Sequence, residues 1–204
     1  MIFLLRLFYR IVKFISYRFF EIYSGVITRI KFNIFHIEFK KFQSNGVPYL
    51  HVAGSVKIGN NFKMNNGMHF NVIGRQQPCI FNVIKGATLL IGENVGISST
   101  AIVCHKSITI GNDVKIGGNV VIYDTDFHSL NANERNHIPE IYNTKQVAVF
   151  IEDGVFIGAH SIILKGVTIG RNSIIAAGSV VTKSIPANQI WGGNPAAFIK
   201  DTDR

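Results

Sequence analysis

The chain has 204 residues, 47% of them hydrophobic, with 19 glycines, two cysteines and a formal net charge of +9. That is enough for one domain with a core plus an appendage, and Cys79 and Cys104, lacking any paired spacing, exclude a disulfide framework or a zinc finger. The positive charge favours anionic partners, but the basic residues form no dense tract with aromatic platforms and no groove-reading motif appears, so nucleic acid is not expected.

Residues 1–42 differ in composition from all that follows, being rich in Phe, Ile, Leu, Tyr, Lys and Arg. Arg6, Arg10, Lys13 and Tyr17 recur at three- and four-residue spacing, which places them on one stripe of a helix. Apolar residues fill the rest of the circumference. No uninterrupted apolar run is long enough to span a bilayer, and charges break what would be the core of a secretory signal. The pattern is that of a basic, apolar extension, and two readings stand: residues 1–25 lie on a membrane surface, or the helix packs on its own domain or a neighbouring subunit. The helix is expected to run to about Arg29, with Lys31 to Phe39 alternating like a strand.

A six-residue period follows. It is weak from Val47, clear at Ile58-Gly-Asn-Asn61, and continues through Met64 and Phe70. Residues 74–80 break the register. It returns at Ile91-Gly-Glu-Asn94 and Ile110-Gly-Asn-Asp113, with an extra residue expected as a bulge near Cys104 to Ser107. An excursion at about 123–148 separates these coils from the most regular stretch, in which Ile151, Ile157, Ile163, Ile169, Ile175 and Val181 recur at every sixth position. Three residues after each stands Gly154, His160, Gly166, Asn172, Gly178 or Ser184. Gly and Asn reach positive φ most cheaply, so each hexad reads as a short strand and a corner, and three hexads as one triangular coil. Coils are expected near Ile58, Ile91, Ile110, Ile151 and Ile169, stacked at about 4.8 Å with the aliphatic residues inside. The repeat domain is assigned to residues 43–190 and a cap to 191–204.

The hexads, together with the segments Ile163 to Asn172, Ala177 to Lys183 and Gly193 to Ala196, resemble the hexapeptide-repeat acyltransferases, maltose and galactoside O-acetyltransferases and their exopolysaccharide relatives above all. The resemblance implies an all-β, left-handed parallel β-helix behind the helical extension, an exception to right-handed crossovers. It also implies a homotrimer with acetyl-CoA bound between subunits, no metal, and transfer of acetyl to a sugar or lipid-linked oligosaccharide hydroxyl in surface-polysaccharide synthesis. The cytoplasm, at the inner face of the membrane if the extension binds lipid, is the expected location.

His128 follows Tyr123-Asp-Thr-Asp-Phe at the exit of a coil. An imidazole titrates near neutrality and can relay a proton from a hydroxyl to a leaving thiol. In the resembled family a histidine at this point is the general base, and the role is carried to His128. Ser129 stands where that family often has proline. Asp124 or Asp126 is a candidate to orient the imidazole, though each also suits a turn. The resemblance further implies acyl-CoA contacts at Gly158, Ala159, Ala177, Thr182, Lys183 and Lys200, and acceptor contacts near Ser99 and Tyr123. His105, His137 and His160 read as structural. Two alternatives remain: N-acetylation of a nucleotide-linked amino sugar, and a non-catalytic scaffold.

Overall fold

A computed structural model describes residues 2–71, 73–74, 76–136 and 144–202. Its body is a triangular prism of parallel strands. The first face stacks Glu38–Phe39, Ser55–Ile58, Thr88–Ile91, Ser107–Ile110, Val149–Ile151 and Thr168–Ile169. The second runs from Phe42–Asn45 to Ile174–Ile175, and the third from Tyr49–Val52 to Val180–Val181. The register pairs Phe39, Ile58, Ile91, Ile110, Ile151 and Ile169 in sequence down the first face. The expected coil starts are therefore found, with one more coil ahead of them. That first coil escapes the hexad pattern because it turns on Lys40 and Lys41 and sets a half-buried Phe39, Ser44 and Leu50 at the inward positions.

The inward aliphatics are what hold the stack. Ile157, Ile163, Ile169 and Ile175 are 0% exposed and Ile151 and Val181 are 1%, and burying each such side chain contributes about 1.5–3 kcal/mol. Positive φ recurs at the corners, at Gly154, His160, Gly166, Asn172 and Gly178. Ser184 does not share it, because the chain is leaving the repeat there; its Oγ accepts instead from the Thr168 N–H. Both cysteines are free and buried in the core.

Three expectations need correction. The helix spans Ile2–Ile34 rather than ending near Arg29, and only Glu38–Phe39 of the following stretch is strand. Phe70 is not an inward hexad residue: the chain leaves the prism after Asn65 and returns at Ile80, and Phe70 packs edge-on against Tyr17 of the helix, ring centroids 5.3 Å apart. Phe81, fully buried, fills the third face of that coil. The extra residues of the Ile91 coil do fall between Ile102 and Ile110, but a tightened step from Ile97 to Ile102, with Ser99 at φ 44°, offsets them in part.

The prism ends in an antiparallel hairpin, Gln189–Gly193 with Ala196–Asp201, which extends the second face. At the other end the N-terminal helix rests on the second face's first strand, its Phe32 fully buried against Phe39 and Phe42.

Candidate active site

The excursion after Tyr123 leaves the edge between the third and first faces. Its neck is tied on both sides. The backbone of Val147 donates to the Asp124 carbonyl, and that of Asp126 to the Lys145 carbonyl. The Asp124 carboxylate, fully buried, accepts from the backbone N–H groups of His105, Lys106 and Ser107 at 2.7, 2.7 and 2.8 Å. Asp124 therefore fastens the loop to the corner of the preceding coil. This replaces the expectation that it orients the imidazole, since its oxygens are turned toward that corner. Asp126 forms an ion pair with Lys165, on the same edge one coil later. Among the described residues its second oxygen, Oδ2, is buried without a hydrogen-bond partner.

His128 comes two residues beyond this double anchor, with an exposed side chain. Behind it, the Ser129 hydroxyl donates to Glu134 at 2.6 Å and Arg135 donates to the carbonyls of Ser129 and Leu130 at 3.0 and 3.2 Å. The serine that stands in the proline position thus fixes the turn by hydrogen bonds where a ring would fix φ. Beside the neck, Phe127 takes φ 65° and meets Tyr123 and His105 edge-on, at 5.0 and 6.0 Å between centroids. Partial burial pushes the Tyr123 phenol up from its ordinary value.

The other expected site residues lie on two different edges. Thr182 and Lys183 share the edge of His128, below Lys165. Gly158, Ala159 and Ala177 lie at the edge between the second and third faces, in the same corner column as Ser99, Asn119 and His160. Lys200 is on the closing hairpin. Within one chain, then, the third face separates His128 from Gly158, Ala159 and Ala177. A shallow groove of about 530 Å³ lies along the first face, between Lys57, Leu90 and Asn112, and does not include His128.

Small residues at the second edge are obligatory for the coil itself. A Cβ on Gly158 would sit 2.5 Å from the Ala177 nitrogen, and one on Gly117 would sit 2.6 Å from the Ala159 nitrogen. Ser99 is fully buried, its Oγ accepting from Asn71 at 2.9 Å and its carbonyl from Gln77 at 3.0 Å. Gln77 also bonds Asn119, which contacts the His160 ring at 3.1 Å. The excursion at 66–79 therefore covers Ser99, and any acceptor contact there passes through Asn71 or Gln77. His137 falls outside the described residues. Among the described residues no cluster of three or more His, Cys, Asp or Glu is arranged to hold a metal.

The sequence reading missed Lys165, Glu134 and Arg135. Lys165 carries no local signal, since a lysine before a corner glycine is ordinary; only stacking brings it to Asp126.

Prism, repeat and interrupted edge define a three-sided parallel β-helix, left-handed like the hexapeptide-repeat acetyltransferases among its structural neighbours. The family described as the hexapeptide repeat of succinyl-transferase matches residues 89–124 and 148–183. WbbJ of Escherichia coli, a chain named for O-acetyl transfer in lipopolysaccharide biosynthesis, is 30% identical over 157 residues, 74% of each chain. The galactoside O-acetyltransferase of Lactococcus lactis is 37% identical over 141 residues, 66% of each. Among solved structures, a variant of AntD, an N-acyltransferase from Bacillus cereus in complex with dTDP-4-amino-4,6-dideoxyglucose and coenzyme A, superposes with a TM-score of 0.68 at 26% identity, covering 86% of this chain and 89% of that one. The chain belongs to the hexapeptide-repeat acetyltransferase family.

Proposed function

We propose that the protein transfers acetyl from acetyl-CoA to a hydroxyl of a sugar in surface-polysaccharide synthesis, the acceptor being a sugar or a lipid-linked oligosaccharide. The observation that carries this reading is the double anchoring of the loop neck, which holds an exposed His128 at a prism edge. The imidazole takes the proton of the acceptor hydroxyl as its oxygen attacks the thioester carbonyl. When the tetrahedral intermediate collapses, the C–S bond breaks and the proton passes to the departing thiolate. A general base of this kind contributes about 10²–10⁴-fold in rate.

The separation of His128 from Gly158, Ala159 and Ala177 across the third face favours a site completed by a second subunit. A closed three-fold assembly sets the His128 edge of one prism beside the glycine and alanine edge of the next. The pantetheine arm then runs beside Gly158, Ala159 and Ala177, whose small side chains let it approach the backbone, and Thr182, Lys183 and Lys200 meet the nucleotide end. The named activities of WbbJ and the galactoside enzyme support oxygen as the acceptor atom.

AntD supports a second reading, N-acylation of a nucleotide-linked amino sugar. Incubating the protein with acetyl-CoA and matched hydroxyl and amino acceptors separates the two. Transfer to hydroxyl acceptors, lost at least about a hundred-fold in His128→Ala, is expected. Transfer to amino acceptors alone overturns the O-acetyl reading, and undiminished transfer by His128→Ala overturns the role of that residue.

A further inference from the structure

The N-terminal helix is anchored on the prism at its C-terminal end by one apolar residue, the fully buried Phe32, and for the rest by polar groups. Its polar stripe meets the prism: Gln43 donates to Glu21 at 3.0 Å, Thr28 donates to Ser44 at 3.2 Å, and Lys31 donates to the Pro48 carbonyl at 2.6 Å. Ser24 and Thr28 are buried on this side. On the opposite side Phe8 is 66% exposed, Ile15 60%, Phe19 64%, Ile22 63% and Val26 53%. A helix on a water-facing surface does the reverse, burying its apolar stripe and wetting its polar one. An apolar face this long is not left in water by a stable soluble protein.

Followed toward the N-terminus by steps of three and four, the prism-facing stripe becomes Lys13, Arg10 and Arg6. The cations therefore point to the same side as the prism and away from the apolar face. Among the described residues no helix is long and apolar enough to cross a membrane.

We infer that the outer face of this helix lies in the interface of an anionic lipid bilayer, axis parallel to the surface. The 33 residues then lie along about 50 Å of it. Phe8, Ile15, Phe19, Ile22 and Val26 enter the acyl boundary, and Arg6, Arg10 and Lys13 sit at the level of the lipid phosphates, with the prism above in water. Charge decides between lipid and a second copy of the helix. Arg6, Arg10, Lys13 and Arg18 all precede the first acidic residue, Glu21. Copies bundled through this segment would crowd like charges, whereas an anionic surface neutralises them. The inference stands on the helix alone and does not depend on which acceptor is acetylated.

Flotation of the full chain with vesicles tests it. The protein is expected to float with phosphatidylcholine vesicles containing phosphatidylglycerol, and much less with phosphatidylcholine alone. Combining Phe8→Ser, Ile15→Ser and Phe19→Ser is expected to weaken binding at least about a hundred-fold. Combining Arg6→Gln, Arg10→Gln and Lys13→Gln is expected to cost about five-fold per charge on the anionic vesicles only. Circular dichroism monitors folding, and Phe8→Ser alone, several turns beyond the prism contacts, is read the same way if the triple variant does not fold. Failure of the native chain to float, equal flotation of the serine variant, or indifference to phosphatidylglycerol overturns the inference. So does a fall in oligomer mass of the serine variant without vesicles, which would place a second copy on this face.

Discussion

Lys165 and Asp126 meet across one coil of the prism, and their ion pair closes the neck of the loop that carries His128. Both side chains are largely withdrawn from solvent, at 22% and 17% exposure. Breaking such a pair strands a charge in a poorly hydrated place. With His128 acting as proposed, we expect Lys165→Met and Asp126→Asn each to lower kcat by about ten-fold, since a misplacement of a reacting group by about 1 Å is enough for that. The double variant should lose no more than either single one, because the two groups act together. Single losses that multiply in the double variant would show that Asp126 acts on His128 by another route.

Asp124 predicts a stability effect rather than a kinetic one. Its buried carboxylate is the acceptor for three backbone N–H groups of a half-buried corner. Leaving buried donors unpaired costs about 1–3 kcal/mol each before relaxation or water entry. Asp124→Ala is expected to lower unfolding stability by about 3 kcal/mol or more and to open residues 104–107 to protease. Chemical denaturation and limited proteolysis measure both, and an unchanged midpoint would show that water replaces the carboxylate.

Gly158 tests the close approach at the other edge. The atoms a new Cβ would meet are backbone atoms of the next coil, at 2.5 and 2.8 Å. They cannot move without parting the two coils. Gly158→Ala is expected to cost about 1–3 kcal/mol by overpacking, read as a fall in Tm, and to reduce coenzyme A affinity in isothermal titration if the pantetheine arm uses that corner.

The two thiols give a pH dependence. Burial pushes Cys79 and Cys104 up to about 12, the neighbouring Asp124 charge adding to the effect at Cys104. In the unfolded chain each ionises near 9. Between those values the folded state holds protons that the unfolded state has released. Stability is therefore fully present below pH 9 and falls as pH rises toward 12, by about 1.4 kcal/mol per pH unit for each thiol. Alkylation by iodoacetamide at mildly alkaline pH should be slow in the native protein and fast in denaturant. Rapid native labelling of either cysteine would contradict that burial.

Much of the prism is legible in the sequence. The sixfold recurrence from Ile151 to Val181 fixes which large side chains turn inward; the residue two before each, from Val149 to Ser179, is buried beside it and is small to medium in size. The corner residues Gly154, His160 and Asn172 were equally readable, since few residue types enter positive φ cheaply. The first coil was not readable, and of the excursion between Asn65 and Ile80 only the break at 74–80 was. Phe39, Ser44 and Leu50 stand at the inward positions in one, without a regular six-residue spacing, and a long loop carries Phe70 off the register in the other.

The exit of a loop at His128 is written in the interruption of the period, but its anchors are not. Asp124 reaches a corner one coil back, and Asp126 a lysine one coil on. Those contacts link residues far apart in the chain, and only the stacking distance between coils brings them together. The N-terminal stripe shows the same division. Spacing by itself places Arg6, Arg10, Lys13 and Tyr17 on one side of a helix. That this side turns toward the prism and leaves the opposite side bare follows from contacts distant in the chain, Phe32 on Phe39 and Phe42, Tyr17 on Phe70, and the hydrogen bonds of Glu21, Thr28 and Lys31, which only the folded chain reveals.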